Sequence, residues 1–157
     1  MEVRIKIKSI VTMCDEPDVI GAARDGNEEQ NEPEVIRYTA VGNCTEEDGK
    51  VVIAYSEPEE FGLEGAVTAL VFEPSVRDVL TMARSGEASA AFRFDMNNRR
   101  QKCIYNTPFF AAELTVITKK VANTVKNGSG AILLDYIIEI NGHETEHNRT
   151  LIEVRPI

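Results

Sequence analysis

Paired cysteines and long apolar runs are both missing from this sequence. The 157 residues include three cysteines, Cys14, Cys44 and Cys103, which lie far apart and form no C-x-x-C pair. This number and spacing predict neither a disulfide framework nor a zinc ribbon, so we expect idle or buried thiols. The first residues, MEVRIKIKSIVTMCDE, interleave apolar and basic side chains, and no segment approaches the roughly 18 apolar residues of a membrane span. We therefore predict a cytoplasmic protein.

A dense basic cluster is also missing. The net charge is −9, and residues 15–64 hold 15 Asp and Glu against three Lys and Arg, so this stretch carries −12 and the remainder +3. The one basic run, NNRRQK at 97–102, is typical of a solvated hairpin tip. Because a nucleic-acid interface needs many basic side chains to displace counterions from phosphates, we predict no nucleic-acid partner and no membrane partner.

One stretch of the sequence has the residue order of a catalytic motif. Residues 140–151, INGHETEHNRTL, contain His143, Glu144 and His147 in the order H-E-x-x-H of zinc peptidases. In those enzymes the two histidines lie one helical turn apart, whereas on a strand the same spacing is about 13 Å, too far for one ion. An Asn-Gly hairpin signal precedes the motif and β-branched residues follow it. We therefore predict a strand here, with no metal site and no cofactor.

Short β-branched and aromatic runs alternate with turn signals along most of the chain. In residues 3–8, Val and Ile alternate with Arg and Lys, and this period of two indicates a strand with one buried face. Asp-Gly and Asn-Gly dipeptides at 48, 127 and 141 favour tight turns between antiparallel strands. The predicted strands are 3–8, 35–42, 50–56, 66–73, 76–84, 88–95, 101–107, 110–122, 131–140 and 144–154.

This pattern predicts a single all-β domain over residues 1–157. A meander of about ten strands without a long helix usually closes into an antiparallel barrel, because closure removes exposed edges. The acidic stretch at about 15–34 is predicted to be a long surface loop. Even-numbered positions of several strands should line the interior: Ala90, Phe92, Phe94, Phe110, Ala112, Leu114, Val116, Ile132, Leu134, Tyr136, Ile138 and Ile140.

Three segments carry a family resemblance: YSEPEEFGLEGAVTALVFEP, RSGEASAAFRFDMNNRRQKCIYNTPFFAAELTVITKK and GSGAILLDYIIEINGHETEHNRTLIEV. Together they resemble the YwiB-like family, a bacterial domain of unknown function. The most specific parts are residues 62–65 (GLEG), Arg84-x-Gly86 and Tyr105-x-Thr107-Pro-Phe. The resemblance implies a closed antiparallel barrel of the calycin type with about 8–10 strands, similar in architecture to lipocalins. The chain departs from the family pattern at Phe110, where a glycine usually stands, and in the acidic stretch.

A barrel of this size can hold one small ligand between its inward side chains. We therefore predict a small-molecule binding module with a small apolar or carboxylate ligand in the barrel interior. The alternative to ligand binding is that Arg84 and Tyr105 form a structural pair or lie at the barrel rim. The candidate ligand-binding residues are Arg84, Phe92, Phe94, Tyr105, Thr107 and Tyr136.

Two other functions stay open. Calycin-type barrels include decarboxylases, which by analogy suggests Tyr105 or Tyr136 as proton donor, Arg84 as carboxylate anchor and Glu113 as acid or base. Glu113 lies on the outward face of its strand, which weighs against an enzyme. The acidic 15–34 stretch could instead bind a basic partner, with a solvated loop as the alternative. The sequence leaves the oligomeric state open.

Overall fold

Ten antiparallel strands form one continuous sheet in the computed structural model, which describes residues 1–14, 32–58 and 65–157. Neighbouring strands follow the order β6-β5-β4-β3-β2-β1-β10-β9-β8-β7, so the first and last strands pair with each other. The strands are β1 (Glu2–Met13), β2 (Glu34–Glu47), β3 (Lys50–Ser56), β4 (Val67–Glu73), β5 (Val76–Ser85), β6 (Ala90–Asp95), β7 (Arg100–Asn106), β8 (Ala111–Asn123), β9 (Gly130–Ile140) and β10 (His143–Pro156).

The two edge strands, β6 and β7, meet and nearly close the barrel. Ser89 and Asn106 exchange two backbone hydrogen bonds of 2.8 and 2.9 Å just before β6 and at the end of β7. At the other end of β6, the backbone N–H of Asp95 donates to the hydroxyl of Thr118 on β8 at 3.2 Å. The predicted all-β antiparallel barrel is therefore confirmed, and it is consistent with a calycin-like architecture.

The interior is built by the period-two alternation of the strands. In β1, the side chains of Val3 and Ile5 are fully buried while the basic residues between them are exposed. The same alternation on the other strands supplies an apolar core, since side chains of one parity face inward. Its largest fully buried side chains are Phe94, Ile5, Ile53, Leu70, Leu80, Ile132, Leu134, Ile152, Val3, Val116, Val125 and Val154.

A meander gives the barrel two ends. We call the end at which β1, β3, β5, β7 and β9 finish the upper end, and the opposite end, where β2, β4, β6 and β8 finish, the lower end. The β9–β10 turn at the upper end has Asn141 at φ 51° and Gly142 at φ 81°. Positive φ at both central residues is the conformation that two-residue hairpins favour, which explains the Asn-Gly signal.

Replacing Gly142 with valine should lower the free energy of unfolding by about 1–3 kcal/mol, because a β-branched side chain resists positive φ. The added Cβ meets no atom within 4 Å, so backbone strain is the whole effect. Urea unfolding of the wild type, Gly142→Val and Gly142→Asn measures it, and asparagine, which tolerates this conformation, should lose much less. Equal stability of the valine variant and the wild type would contradict the turn assignment.

The predicted strands are all present, with two differences in length and one misplaced residue. β1 and β2 run to Met13 and Glu47, five residues beyond their predicted ends. Phe110 was predicted to face the interior, which is wrong: its side chain is 59% exposed and precedes β8 in a loop. Of the predicted acidic loop at 15–34, residues 15–31 lie outside the described residues. Within the described ranges, no helix is long and apolar enough to cross a membrane.

Candidate functional site

A row of inward-facing residues crosses four strands and lies near the upper end on β3, β4 and β5. The registers pair Gly42 with Tyr55, Tyr55 with Thr68, and Thr68 with Arg84, from β2 to β5. Because paired residues of neighbouring strands point to the same face, these side chains are neighbours inside the barrel. Hydroxyl and guanidinium groups therefore replace the aliphatic side chains that fill the lower half.

Glu57 brings a carboxylate into this row. It follows β3, and its backbone N–H donates to the carbonyl of Ala66 at 2.9 Å, which holds the residue beside the start of β4. Ile53, Tyr55 and Glu57 are spaced by two residues, so the inward parity of β3 continues past the end of the strand. The Glu57 side chain is only 6% exposed.

Three donors surround the Glu57 carboxylate. The Tyr38 hydroxyl donates to Oε2 at 2.8 Å, and the Thr68 hydroxyl donates to Oε1 at 2.6 Å. Arg84 Nη2 lies 3.5 Å from Oε1, and the Arg84 side chain is 32% exposed. We call Tyr38, Tyr55, Glu57, Thr68 and Arg84 the Glu57 cluster. It combines a buried anion with a cation that is partly accessible.

Burial and negative charge keep the nearby tyrosines neutral. Burial, followed by the charge of Glu57, raises the pKa of Tyr55 to about 12. Burial is also the main cause that raises the pKa of Tyr38, with Tyr55 and Glu57 adding to it. For Tyr136, burial raises the pKa first and Glu146 second, while Arg84 acts in the opposite direction. At neutral pH these hydroxyls therefore remain hydrogen-bond donors.

The raised pKa of Tyr55 predicts a loss of stability in alkali. The folded protein holds this proton more tightly than the unfolded chain, so the contribution is complete below pH 10 and disappears as the pH rises from 10 to about 12. Over that window, the free energy of unfolding of the wild type should fall by about 2–3 kcal/mol more than that of Tyr55→Phe. Urea unfolding at several pH values between 8 and 12 measures the difference, and parallel declines would contradict the buried placement of this hydroxyl.

Two predicted site residues, Arg84 and Tyr136, lie close enough to interact electrostatically. Burial holds the pKa of Tyr136, on β9, above its usual value, and the charge of Arg84 acts against this rise. Tyr105 is half-buried on β7 and packs against the hydrophobic core. The charge of Arg84 therefore acts on the Tyr136 hydroxyl, whose ring packs on Phe94.

The two predicted aromatic residues on β6 have different surroundings. Phe94 is fully buried, with its ring centroid 4.7 Å from that of Tyr136. Phe92 is half-buried, and its ring meets the edge of Phe94 at a centroid distance of 6.4 Å. Phe94 is thus part of the packed core, whereas Phe92 lies closer to the upper end.

Thr107 organises the β7–β8 loop. Its hydroxyl accepts hydrogen bonds from the backbone N–H groups of Phe109 and Phe110 at 3.2 and 3.1 Å and lies 3.1 Å from the carbonyl of Phe110. These contacts are a local Ser/Thr turn. They occupy the hydroxyl within the loop, so Thr107 shapes the rim rather than the interior.

Sequence reasoning missed Tyr38, Glu57 and Thr68. Thr68 shares the inward parity of Leu70 and Phe72, which marks it as an interior polar residue. Glu57 could have been found by continuing the alternation of β3 by one step. Tyr38 can be recognised as a site residue only when the register that places β2 beside β3 is known.

The H-E-x-x-H residues lie on β10, so the predicted strand is confirmed. His147 Nε2 contacts Asp135 Oδ1 on β9, and Arg149 Nε lies 3.5 Å from the other oxygen of that carboxylate. His143 pairs with Ile140 beside the turn. Across the part of the chain that the structure describes, no group of three His, Cys, Asp or Glu side chains has a geometry suited to a metal ion.

Comparison with known proteins supports the fold and the family. The crystal structure of the ywiB protein from Bacillus subtilis is similar, with a TM-score of 0.68 and 19% sequence identity over 99% of this chain and 94% of that chain. No curated protein matches the sequence. The model of the family described as Domain of unknown function (DUF1934) matches residues 21–152. The YwiB-like resemblance is thereby confirmed, and because the match spans most of the sequence, the chain belongs to the DUF1934 family.

Proposed function

We propose that this protein is a small-molecule binding module whose ligand enters the barrel from the upper end and contacts the Glu57 cluster. The observation that carries this proposal is the Glu57–Arg84 pair, whose carboxylate is almost fully buried in a largely apolar barrel. A buried ion pair contributes little net stability, because desolvation of the two charges offsets their attraction. Apolar side chains of similar volume would serve folding as well, which favours a role for this pair in recognition.

The cluster supports a ligand with a carboxylate. Arg84 Nη2 lies 3.5 Å from Glu57 Oε1, and the Arg84 side chain is 32% exposed, so part of it is accessible to a ligand. A planar guanidinium binds a carboxylate through two parallel hydrogen bonds, which is stronger than a contact between neutral groups. The neutral hydroxyls of Tyr55 and Tyr136 add donors, and half-buried Phe92 and Tyr105 offer apolar surface for the rest of a small ligand.

A thermal-shift screen of small carboxylates, each paired with its neutral amide, tests this proposal. Ligand at about 100 times its dissociation constant adds about 2.7 kcal/mol of stability, which raises the melting temperature of a domain this size by several degrees. At least one acid should stabilise the wild type more than its amide does. Arg84→Met should abolish this difference. Arg93→Met is the matched control, since Arg93 lies on the neighbouring strand β6 with a side chain that is 52% exposed and pairs with Asp95.

Two results would count against the module. Stabilisation of the Arg84→Met variant equal to that of the wild type would remove Arg84 from the site. If no carboxylate in the screen exceeds its amide, the proposed ligand class is wrong.

An enzyme is the second candidate, and Glu57 is the observation that favours it. The carboxylate suggested from the sequence, Glu113, is 58% exposed and pairs with Lys102 at 3.5 Å, which removes it from the interior. Glu57 is an interior carboxylate beside Arg84 and Tyr38, where it could act as the acid or base. Incubating the protein with a stabilising acid and following the acid by NMR separates the two functions, because an enzyme consumes it and a binding module returns it unchanged.

An interaction module using the acidic 15–34 stretch remains a prediction, since residues 15–31 lie outside the described residues. A pull-down compared between the full chain and a variant without residues 17–33 tests it. Equal recovery of partners from both chains would exclude this function.

A further inference from the structure

A cavity lies at the lower end of the barrel, away from the Glu57 cluster. Its volume is about 360 Å³, which is within the range of small-molecule sites. The paired ends of β2 and β3 and the β4–β5 and β8–β9 connections contribute to it. Its wall includes the apolar side chains of Val51, Pro74 and Val125 and the cationic side chains of Arg77 and Lys126.

Arg77 is held rigidly in the wall of this cavity. Its Nε donates to the carbonyl of Pro74 at 2.9 Å, and its Nη1 donates to the carbonyl of Val125. The guanidinium also lies over the ring of Phe72, 5.2 Å from the centroid. Because these contacts already fix the side chain, an incoming anion would not have to order it.

Arg77 lacks a counter-charge within the described ranges. No carboxylate oxygen of residues 1–14, 32–58 or 65–157 lies within 4.0 Å of its nitrogen atoms, and the same holds for Lys126. Glu46 lines the cavity as well but pairs with neither cation. The cavity wall therefore presents two positive charges that are not neutralised by ion pairs.

A buried donor without a partner lies beside Arg77. Asn123 is 8% exposed; its Oδ1 accepts from the backbone N–H of Val125 at 3.0 Å and lies 3.5 Å from Arg77 Nη1. Its Nδ2 is buried and has no hydrogen-bond partner among the residues that the structure describes. Buried donors are normally satisfied, so this region has more donors than acceptors. The Asn123 Oδ1 contact adds to the hydrogen bonds that hold Arg77 in the cavity wall.

We propose that the lower cavity is a second binding site, selective for a small monocarboxylate. The carboxylate oxygens accept hydrogen bonds from Arg77 and Lys126, and a short aliphatic chain packs on Val51 and Val125. A single negative charge suits the site better than a doubly charged phosphate, because Glu46 also lines the wall. This site is independent of the Glu57 cluster, which lies at the other end of the barrel.

Titration with sodium butyrate, followed by backbone amide shifts in ¹H–¹⁵N spectra, tests the site. Butyrate should shift the amides of Val125, Lys126 and Glu46, and butyramide should not. Arg77→Gln should weaken butyrate binding at the lower end at least tenfold, since it removes charged hydrogen bonds. Lys126→Gln should weaken it about two- to fivefold, because Lys126 is exposed.

Lys126→Gln and one further variant, Arg84→Met, allow the proposal to be tested even if Arg77→Gln does not fold. Lys126→Gln decides the case if Arg77→Gln fails to fold, since the Arg77 side chain also joins two lower loops. Arg84→Met alters the upper end only and should leave the lower amide shifts intact. Wild-type affinity in both lower-end variants, equal shifts from butyrate and butyramide, or loss of the lower shifts in Arg84→Met would overturn the proposal.

Discussion

Gly42→Ala should lower the free energy of unfolding by about 3 kcal/mol, because the new methyl group has no room. A Cβ at this position would lie 2.2 Å from the backbone oxygen of Ala54 and 3.0 Å from Ile5 Cδ1 and Tyr55 Cβ. The first contact is with the backbone of the paired strand, which moves only if the β2–β3 ladder distorts. A glycine inside a strand often marks such a close backbone approach.

Gly49→Ala is the matched control for this substitution. Gly49 lies in the β2–β3 turn with φ 76°, and an added Cβ meets nothing within 4 Å. It isolates the strain of positive φ, about 1–3 kcal/mol, from steric overlap inside the sheet. Urea unfolding of both variants, and near-ultraviolet circular dichroism for tertiary packing, should show the greater perturbation in Gly42→Ala. If Gly42→Ala proves as stable as the wild type, β2 and β3 do not approach as closely as the structure indicates.

Glu57→Ala should lower the free energy of unfolding by about 2–4 kcal/mol, because buried donors lose a charged acceptor. The Thr68 side chain loses its contact with the carboxylate although the residue is only 2% exposed. Tyr38 and Arg84 lose their contacts with the carboxylate as well, with a smaller penalty for Arg84 because water reaches it. Glu57→Gln keeps an acceptor oxygen and the shape of the side chain, so its loss should be smaller.

Glu139→Ala is the control for Glu57→Ala. Glu139 makes a shorter ion pair, 2.7 Å from Arg100, but the Arg100 side chain is 60% exposed. If burial rather than distance determines the effect, Glu139→Ala should lose about 1 kcal/mol or less. Chemical denaturation of the two alanine variants measures the comparison. Equal losses would mean that Glu57 is not buried among its donors.

The strands could be predicted from the sequence because their signals are local. Alternating residues such as Val3, Ile5 and Ile7 mark a strand without reference to any other part of the chain. The Asn141-Gly142 turn is equally local, since its residues directly favour positive φ. Phe110 was misplaced because alternation was extended into a loop that Thr107 organises through its own hydrogen bonds.

The candidate site could be predicted only in part, because its members come together through register. Tyr136 was found at an inward position of its strand and Arg84 in a family motif, but the partner of Arg84 was not found. Glu57 follows a strand end, and its contacts with Thr68 and Tyr38 depend on how β2, β3 and β4 align. The cation Arg77 at the lower end, unpaired within the described ranges, was also missed because its contacts depend on register: it donates to the Val125 carbonyl, 48 residues away in the sequence.

A crystal structure of the protein with its most stabilising carboxylate tests the central claim most directly. The account predicts the ligand inside the upper end of the barrel, with carboxylate oxygens about 2.7–3.2 Å from the guanidinium nitrogens of Arg84 and the Glu57 cluster around it. A second molecule at Arg77 would be compatible with this result. Ligand bound only outside the barrel, or only at the lower end with the Glu57–Arg84 pair untouched, would contradict it.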